Sequence, residues 1–187
     1  YDIIIWKNKD DFKTIQQQIL NDDYTIAVAV GGDGTVNQIA QIVNHTNIAL
    51  GILPFGSGNG LARSMGVPMD IKEALNLIAK GKIKKIDSGL INDVPFFCTS
   101  GVGFDAHIGT LFASNTKRGL KSYIKIIWKE IFSYQAQDYK LIVDGKEENV
   151  KAFLIAFANA GQYGNNFYIA PQALMNDGKI DVSVLKP

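Results

Sequence analysis

The chain has 187 residues, of which 47% are hydrophobic and 20% charged, a globular balance that excludes disorder, collagen and coiled coil as the main state. Its 19 Lys and Arg against 18 Asp and Glu leave a net charge of +1, so bulk charge calls for neither a polyanion partner nor an acidic substrate. The single cysteine, Cys98, rules out a disulfide framework and a cysteine-built zinc site and fits a reducing compartment.

In chain order, Ile3 to Ile5 reads as a short strand and Asp11 to Leu20 as a helix with Phe12, Ile15, Ile19 and Leu20 on one face. Thr25 to Val30 is a buried strand that runs into Gly31-Gly32. Val36, Ile39, Ala40 and Val43 then recur at helical spacing. Ile48 to Leu53 is a second buried strand. Asp70 and Glu73 form a capping box for a helix that Gly81 stops. Alternating strands and helices imply a parallel sheet covered on both faces. The pattern changes near Lys82. Ile83 to Asp87, Gly89 to Ile91 and Val94 to Thr99 are strand-like, with Asn92-Asp93 as a turn. Helices are expected over Asp105 to Phe112 and Lys117 to Phe132. A hairpin turns at Asp144-Gly145, apolar strand-like sequence runs on to Asn159, and a last strand covers Lys179 to Leu185. The fold class is therefore α/β. A three-layer parallel-sheet unit over residues 1–86 precedes a β-rich, sandwich-like unit over 87–187. Both ends read as cuts through a longer protein, and no apolar stretch approaches the roughly 20 residues of a membrane helix.

Two glycine loops carry the chemistry. Gly31-Gly32-Asp33-Gly34-Thr35, with Asn37 two residues on, joins a buried strand to a helix. Glycines there permit positive φ and close approach to the backbone, and amides at the head of the helix attract phosphate. The plainer alternative is a tight turn with Asp33 as a helix cap. A second loop, Pro54-Phe55-Gly56-Ser57-Gly58-Asn59-Gly60, follows the next strand. Two such loops on successive strands favour the phosphate reading. Neither is a Walker loop or a dinucleotide fingerprint, so backbone and hydroxyl groups would do most of the holding. An acid among phosphates makes sense if Asp33 binds a magnesium shell or takes a proton from an attacking hydroxyl.

The stretches GGDGTVNQIA from Gly31, LPFGSGNGLARSMGVP from Leu53, SGVGFDAHIG from Ser100 and IAPQALMNDGKIDV from Ile169 resemble the diacylglycerol kinase catalytic-domain family, which includes sphingosine kinases and soluble bacterial lipid kinases. The resemblance implies phosphoryl transfer from ATP to a lipid hydroxyl with Mg2+, in a cleft between an α/β domain and a β-sandwich-like domain. Gly31, Gly32, Asp33, Gly34, Thr35, Asn37, Gly56, Ser57, Gly58 and Asn59 would hold nucleotide, with Asp33 as the catalytic acid. It also implies a magnesium site at Asp177 with the carbonyls of Leu174 and Lys179. Gly60 stands where diacylglycerol kinases often carry Asp, which points to the sphingosine kinase side. The family's first loop, and a carboxylate base beyond the Asp177 motif, have no counterpart in this sequence.

The remaining candidates are open to two readings each. Asp87 is a turn acid or a magnesium or substrate contact, and Asp105 a helix cap or a cleft residue. His107 is expected to be structural, His45 a surface residue and Cys98 a small hydrophobe in a strand. Lys117, Lys121, Lys125 and Lys129 recur every fourth residue beside Leu120, Tyr123, Ile124, Ile127 and Ile131. A core-facing helix with snorkelling lysines is the expectation, and an interfacial helix on an anionic bilayer the alternative. The expected partner is a lipid substrate met peripherally at a membrane surface from a cytoplasmic location, with no nucleic acid. Edge strands in the second half permit a homodimer. The rival functions are an NAD kinase-like enzyme and a non-catalytic nucleotide- or lipid-binding module.

Overall fold

A computed structural model describes residues 1–8, 11–114 and 119–187. Two compact units divide the chain, Tyr1–Lys84 and Lys85–Pro187, and each is described by itself.

The first unit runs α1 (Asp11–Asn21), β1 (Ile26–Gly31), α2 (Asp33–Val43), β2 (Ala49–Pro54), α3 (Gly60–Ser64) and α4 (Ile71–Ala79). Strands β1 and β2 are parallel and in register from Ile26–Ala49 to Gly31–Pro54, so both chains leave the sheet side by side. The apolar stripe of α2 (Val36, Ile39, Ala40 and Val43) is buried and packs along both strands. Ile78 of α4 lies over Gly51. Asp70 caps α4 by accepting from the Glu73 amide at 3.0 Å, and Gly81 ends the segment in the left-handed region at φ +67°. These features follow the sequence. The segment Ile3 to Ile5 does not: among the described residues it pairs with no strand, and Ile3 is 81% exposed. A β-branched run states a preference only, and a strand needs a neighbour to accept its hydrogen bonds.

In the second unit, β3 (Gly89–Ile91) and β4 (Val94–Phe96) form a hairpin turned by Asn92 and Asp93, both at positive φ. Next come β5 (Thr99–Gly103), α5 (Phe104–Ser114), α6 (Leu120–Glu130), β6 (Gln137–Val143), β7 (Lys146–Ala152), β8 (Leu154–Ala158), β9 (Gln162–Gly164), β10 (Phe167–Tyr168) and β11 (Asp181–Leu185). The centre is an antiparallel sheet in the order β11-β8-β5. On one face Ile155 packs with Val102 and Val184 against Val150 and Ala152 of the β6–β7 hairpin, which gives the sandwich. On the other, Leu154 and Ala156 pack with Phe104 and Ile108 of α5 and Tyr123, Ile126 and Ile127 of α6. Strand β8 is thus buried on both faces, as its unbroken apolar sequence requires.

Two expectations are corrected here. Ile83 to Asp87 is not a strand; Ile83 is exposed, and Asp87 bonds instead to the loop around Met175. Cys98 lies between β4 and β5 rather than in a strand, its thiol 3.3 Å from the Gln162 carbonyl. Of the expected second helix, Lys117 and Arg118 lie outside the described residues. Among the described residues no helix is long and apolar enough to cross a membrane.

Candidate active site

The glycine loops leave the carboxyl ends of β1 and β2 and meet. The Phe55 amide donates to the Gly31 carbonyl at 2.9 Å, carrying the pairing one step past the strands. Beyond that, a Cβ on Gly56 would sit 2.5 Å from the Gly32 Cα, and one on Gly32 would sit 3.0 Å from the Gly56 Cα. The two bends are therefore in backbone contact, and any side chain would separate them. None of Gly31, Gly32, Gly34, Gly56 or Gly58 has a positive φ; the left-handed residue is Asn59, at φ 55°. Close approach is the need that the glycines meet, and the expectation of positive φ at these loops is corrected.

Asp33 joins the loops chemically. One carboxylate oxygen accepts from the Asn59 amide at 2.8 Å and the other from the Gly60 amide at 2.7 Å. Buried Asn59 then closes its own loop, accepting from the Gly56 amide at 2.9 Å and donating to the Gly56 carbonyl at 2.7 Å. Arg63 Nε donates to the Gly58 carbonyl at 3.1 Å. No side chain caps α2, so the amides of Asp33, Gly34 and Thr35 at its head lack intrahelical acceptors. Space above Gly34 is open, with nothing within 4 Å of a Cβ placed there. Thr35 folds its side chain back over Gly31. Ser57 is exposed on the second loop and Asn37 half-buried at the start of the second turn of α2.

The second unit gathers a different set of oxygens. Asp177 lies in the exposed 174–179 loop, where its carboxylate accepts from the Lys179 amide at 3.1 Å, and Leu174 and Lys179 flank it. Asp87 fastens this loop: its amide donates to the Met175 carbonyl at 2.7 Å and its carboxylate accepts from the Gly178 amide at 2.7 Å. Asn159, fully buried, fixes Asp87 in turn by donating to its carbonyl at 2.7 Å and to that of Phe97 at 2.9 Å. The Asn159 side-chain oxygen is left without a hydrogen-bond partner. The loop thus offers carboxylate and carbonyl oxygens, a hard donor set suited to Mg2+, which takes one or two carboxylates and keeps its waters. Among the described residues no cluster of three or more His, Cys, Asp or Glu side chains forms a denser site. Sequence reasoning weighed Asp87 and missed Asn159, whose one signal was an amide at the end of an apolar run.

Asp105, in the first turn of α5, takes a hydrogen bond from the Tyr163 hydroxyl. Burial raises its carboxyl above the ordinary range, and the Tyr163 bond only partly offsets this. Burial first, then Asp105, pushes the Tyr163 hydroxyl far above the usual phenol value. His107 meets Glu130 at 3.0 Å and packs on Tyr134, the structural role expected for it.

The chain thus carries an α/β unit with two fused amide-lined bends, followed by a helix-backed β-sandwich unit. Residues 1–91 match the diacylglycerol kinase catalytic domain, and residues 99–187 match the YegS C-terminal NAD kinase beta sandwich-like domain. The chain is 33% identical over 165 residues to the "Probable lipid kinase YegS-like" of Chromohalobacter salexigens, covering 85% of this chain and 53% of that protein. It is 33% identical to the "Diacylglycerol kinase" of Mycobacterium tuberculosis over 86% of this chain and 55% of the relative. A crystal structure of a diacylglycerol kinase from Bacillus anthracis superimposes with a TM-score of 0.75 at 25% identity, covering 97% of this chain and 60% of that one. Residues 1–91 belong to the diacylglycerol kinase catalytic-domain family, and the chain spans about half of the length of the first two of these relatives.

Proposed function

We propose that the protein transfers the γ-phosphoryl group of ATP to the hydroxyl of a diacylglycerol- or sphingoid-type lipid, with Mg2+ as the assisting ion. One observation carries this reading: the Gly32–Gly56 contact, which fuses two bends into one amide-lined surface. The amides of Asp33, Gly34 and Thr35 would receive phosphate oxygens there, in the open space above Gly34. Asp33 holds the second loop against the first through the Asn59 and Gly60 amides, so the surface is preformed before nucleotide arrives. Both of its oxygens already accept amides, which makes it a positioning acid first; lone pairs remain for a magnesium-bound water.

Asp177 and the carbonyls of Leu174 and Lys179 would hold Mg2+, with Asp87 keeping their loop in place. Bound there, the ion would supply positive charge of the kind that phosphoryl transfer uses. No covalent protein intermediate is needed, so positioning and electrostatics supply most of the rate. The test is a labelled-ATP screen of the whole protein against total lipid extract and purified acceptors. Label should appear in diacylglycerol or a sphingoid base. Transfer to NAD instead, or nucleotide binding with no turnover on any acceptor, would overturn the lipid assignment.

A further inference from the structure

We propose that the 174–179 loop is a metal-dependent clasp on the segment through which the chain enters the second unit, so that Mg2+ bound to the loop also orders that segment. The clasp rests on the reading of Asp177, Leu174 and Lys179 as the Mg2+ site. The boundary between the two units falls between Lys84 and Lys85. Residues 82–85 are exposed and form neither helix nor strand, and Ile83 leaves 73% of its surface in water. Lys82, Lys84 and Lys85 have no acidic partner among the described residues. Fixed contacts begin at Asp87, whose amide, carboxylate and carbonyl each make a 2.7 Å hydrogen bond within the second unit. The carbonyl is held by the fully buried Asn159. The other two groups are held by the Met175 carbonyl and the Gly178 amide, and so by the loop alone.

The loop itself has little to keep it closed. It lies outside every helix and strand, Leu174 is 59% exposed, and Gly178 turns the chain at φ +74°. Exposed backbone with few apolar contacts opens at low cost. The three oxygen donors bracket the two groups that grip Asp87: Met175 lies between Leu174 and Asp177, and Gly178 between Asp177 and Lys179. Gathering those donors on one cation restricts the same stretch of backbone that carries both bonds to Asp87. A ligand that binds only the closed loop stabilises it by mass action, and the gain is passed to whatever the closed loop holds. Once the loop opens, Asp87 keeps only its bond to Asn159, and the exposed lysines just before it are free to enter a protease.

The test is limited trypsin digestion of the whole protein with neither nucleotide nor lipid, in EDTA or in Mg2+ at about ten times the Kd that calorimetry gives. Lys146, exposed beside the Asp144–Gly145 turn and remote in sequence from the loop, is the reference site in the same digest. Relative to it, Mg2+ should slow cleavage after Lys84 and Lys85 by about tenfold. Asp177→Asn keeps an acceptor for the Lys179 amide and should lose both Mg2+ binding and protection. Asp87→Ala should still bind Mg2+ but be cut quickly in either condition, whereas Asp87→Asn keeps an acceptor for the Gly178 amide and should be protected like the wild type. Circular dichroism at the wild-type value shows that each variant is folded, and the wild-type comparison stands without them. Calorimetry that finds no Mg2+ binding overturns the metal site and the clasp with it. Binding without protection overturns the clasp alone, as does protection that survives in Asp177→Asn.

Discussion

At the scale of single residues, the glycines of the two loops have separable duties. Gly56→Ala forces a methyl to within 2.5 Å of the Gly32 Cα and 2.6 Å of the Asn59 side-chain oxygen, so it should cost about 1–3 kcal/mol in urea unfolding. Gly34→Ala meets nothing and sits in the first turn of a helix. It should leave stability unchanged or raise it by up to ~1 kcal/mol. If phosphate lies above Gly34, the same methyl should lower ATP affinity by about tenfold, read by calorimetry. Asp33→Ala strands the amides of buried Asn59 and Gly60 and should cost about 1–3 kcal/mol in addition to activity. Stability at the wild-type value in that variant would refute the clamp. The glycine pattern was legible in sequence because it marks where backbone must come close. The clamp was not, since the Asp33 carboxylate finds its acceptor-seeking amides 26 and 27 residues away, and only the parallel register of β1 and β2 brings them together.

Elements are tied to one another by buried polar links whose energetics are open to measurement. Asp105 joins α5 to β9 through Tyr163. A carboxyl whose folded pKa is raised binds its proton more readily in the native state, so ionisation costs stability. That cost is absent below the unfolded value of about 3.9, grows as pH climbs through the raised folded value and is complete above it. Asp105→Asn keeps an acceptor for the Tyr163 hydroxyl and cannot ionise. Its urea midpoint should match the wild type near pH 4, gain on it as pH rises and hold that gain once the raised folded value is passed; a gap that shrinks with rising pH would contradict the assignment. Asn159 links the 174–179 loop to the β4–β5 connection by way of Asp87. Asn159→Ala leaves two carbonyls without their donor and should destabilise by about 1–3 kcal/mol. Asp177→Ala, in an exposed loop, should spare stability and weaken the Mg2+ dependence of turnover; an unchanged magnesium titration removes Asp177 from the metal set. The helices, hairpins and capping residue were readable because each rests on local chemistry. Ile3 to Ile5 and Ile83 to Asp87 misread because their apolar, β-branched residues resemble strands, while pairing depends on a partner that local sequence does not specify.

For the molecule as a whole, a net charge of +1 means that long-range attraction to an anionic surface is weak and that any docking must come from a local arrangement. We propose that the peripheral contact a lipid substrate requires would use the outer face of α6, where Lys121 and Lys125, with no acidic partner among the described residues, stand beside an exposed Trp128 and Phe132. The two contributions respond differently to salt. Screening shortens the reach of the lysines from about 10 Å at 0.1 M to about 3 Å at 1 M, whereas aromatic insertion does not rely on charge. Raising NaCl from roughly 50 to 500 mM should therefore lower vesicle binding by about tenfold and then level off above zero. Trp128→Ala should abolish the plateau while keeping the salt-sensitive part, and Lys121→Glu with Lys125→Glu should do the reverse. A wild-type curve that falls to zero would mean that electrostatics alone holds the protein there, and the aromatic half of the docking face would have to be given up.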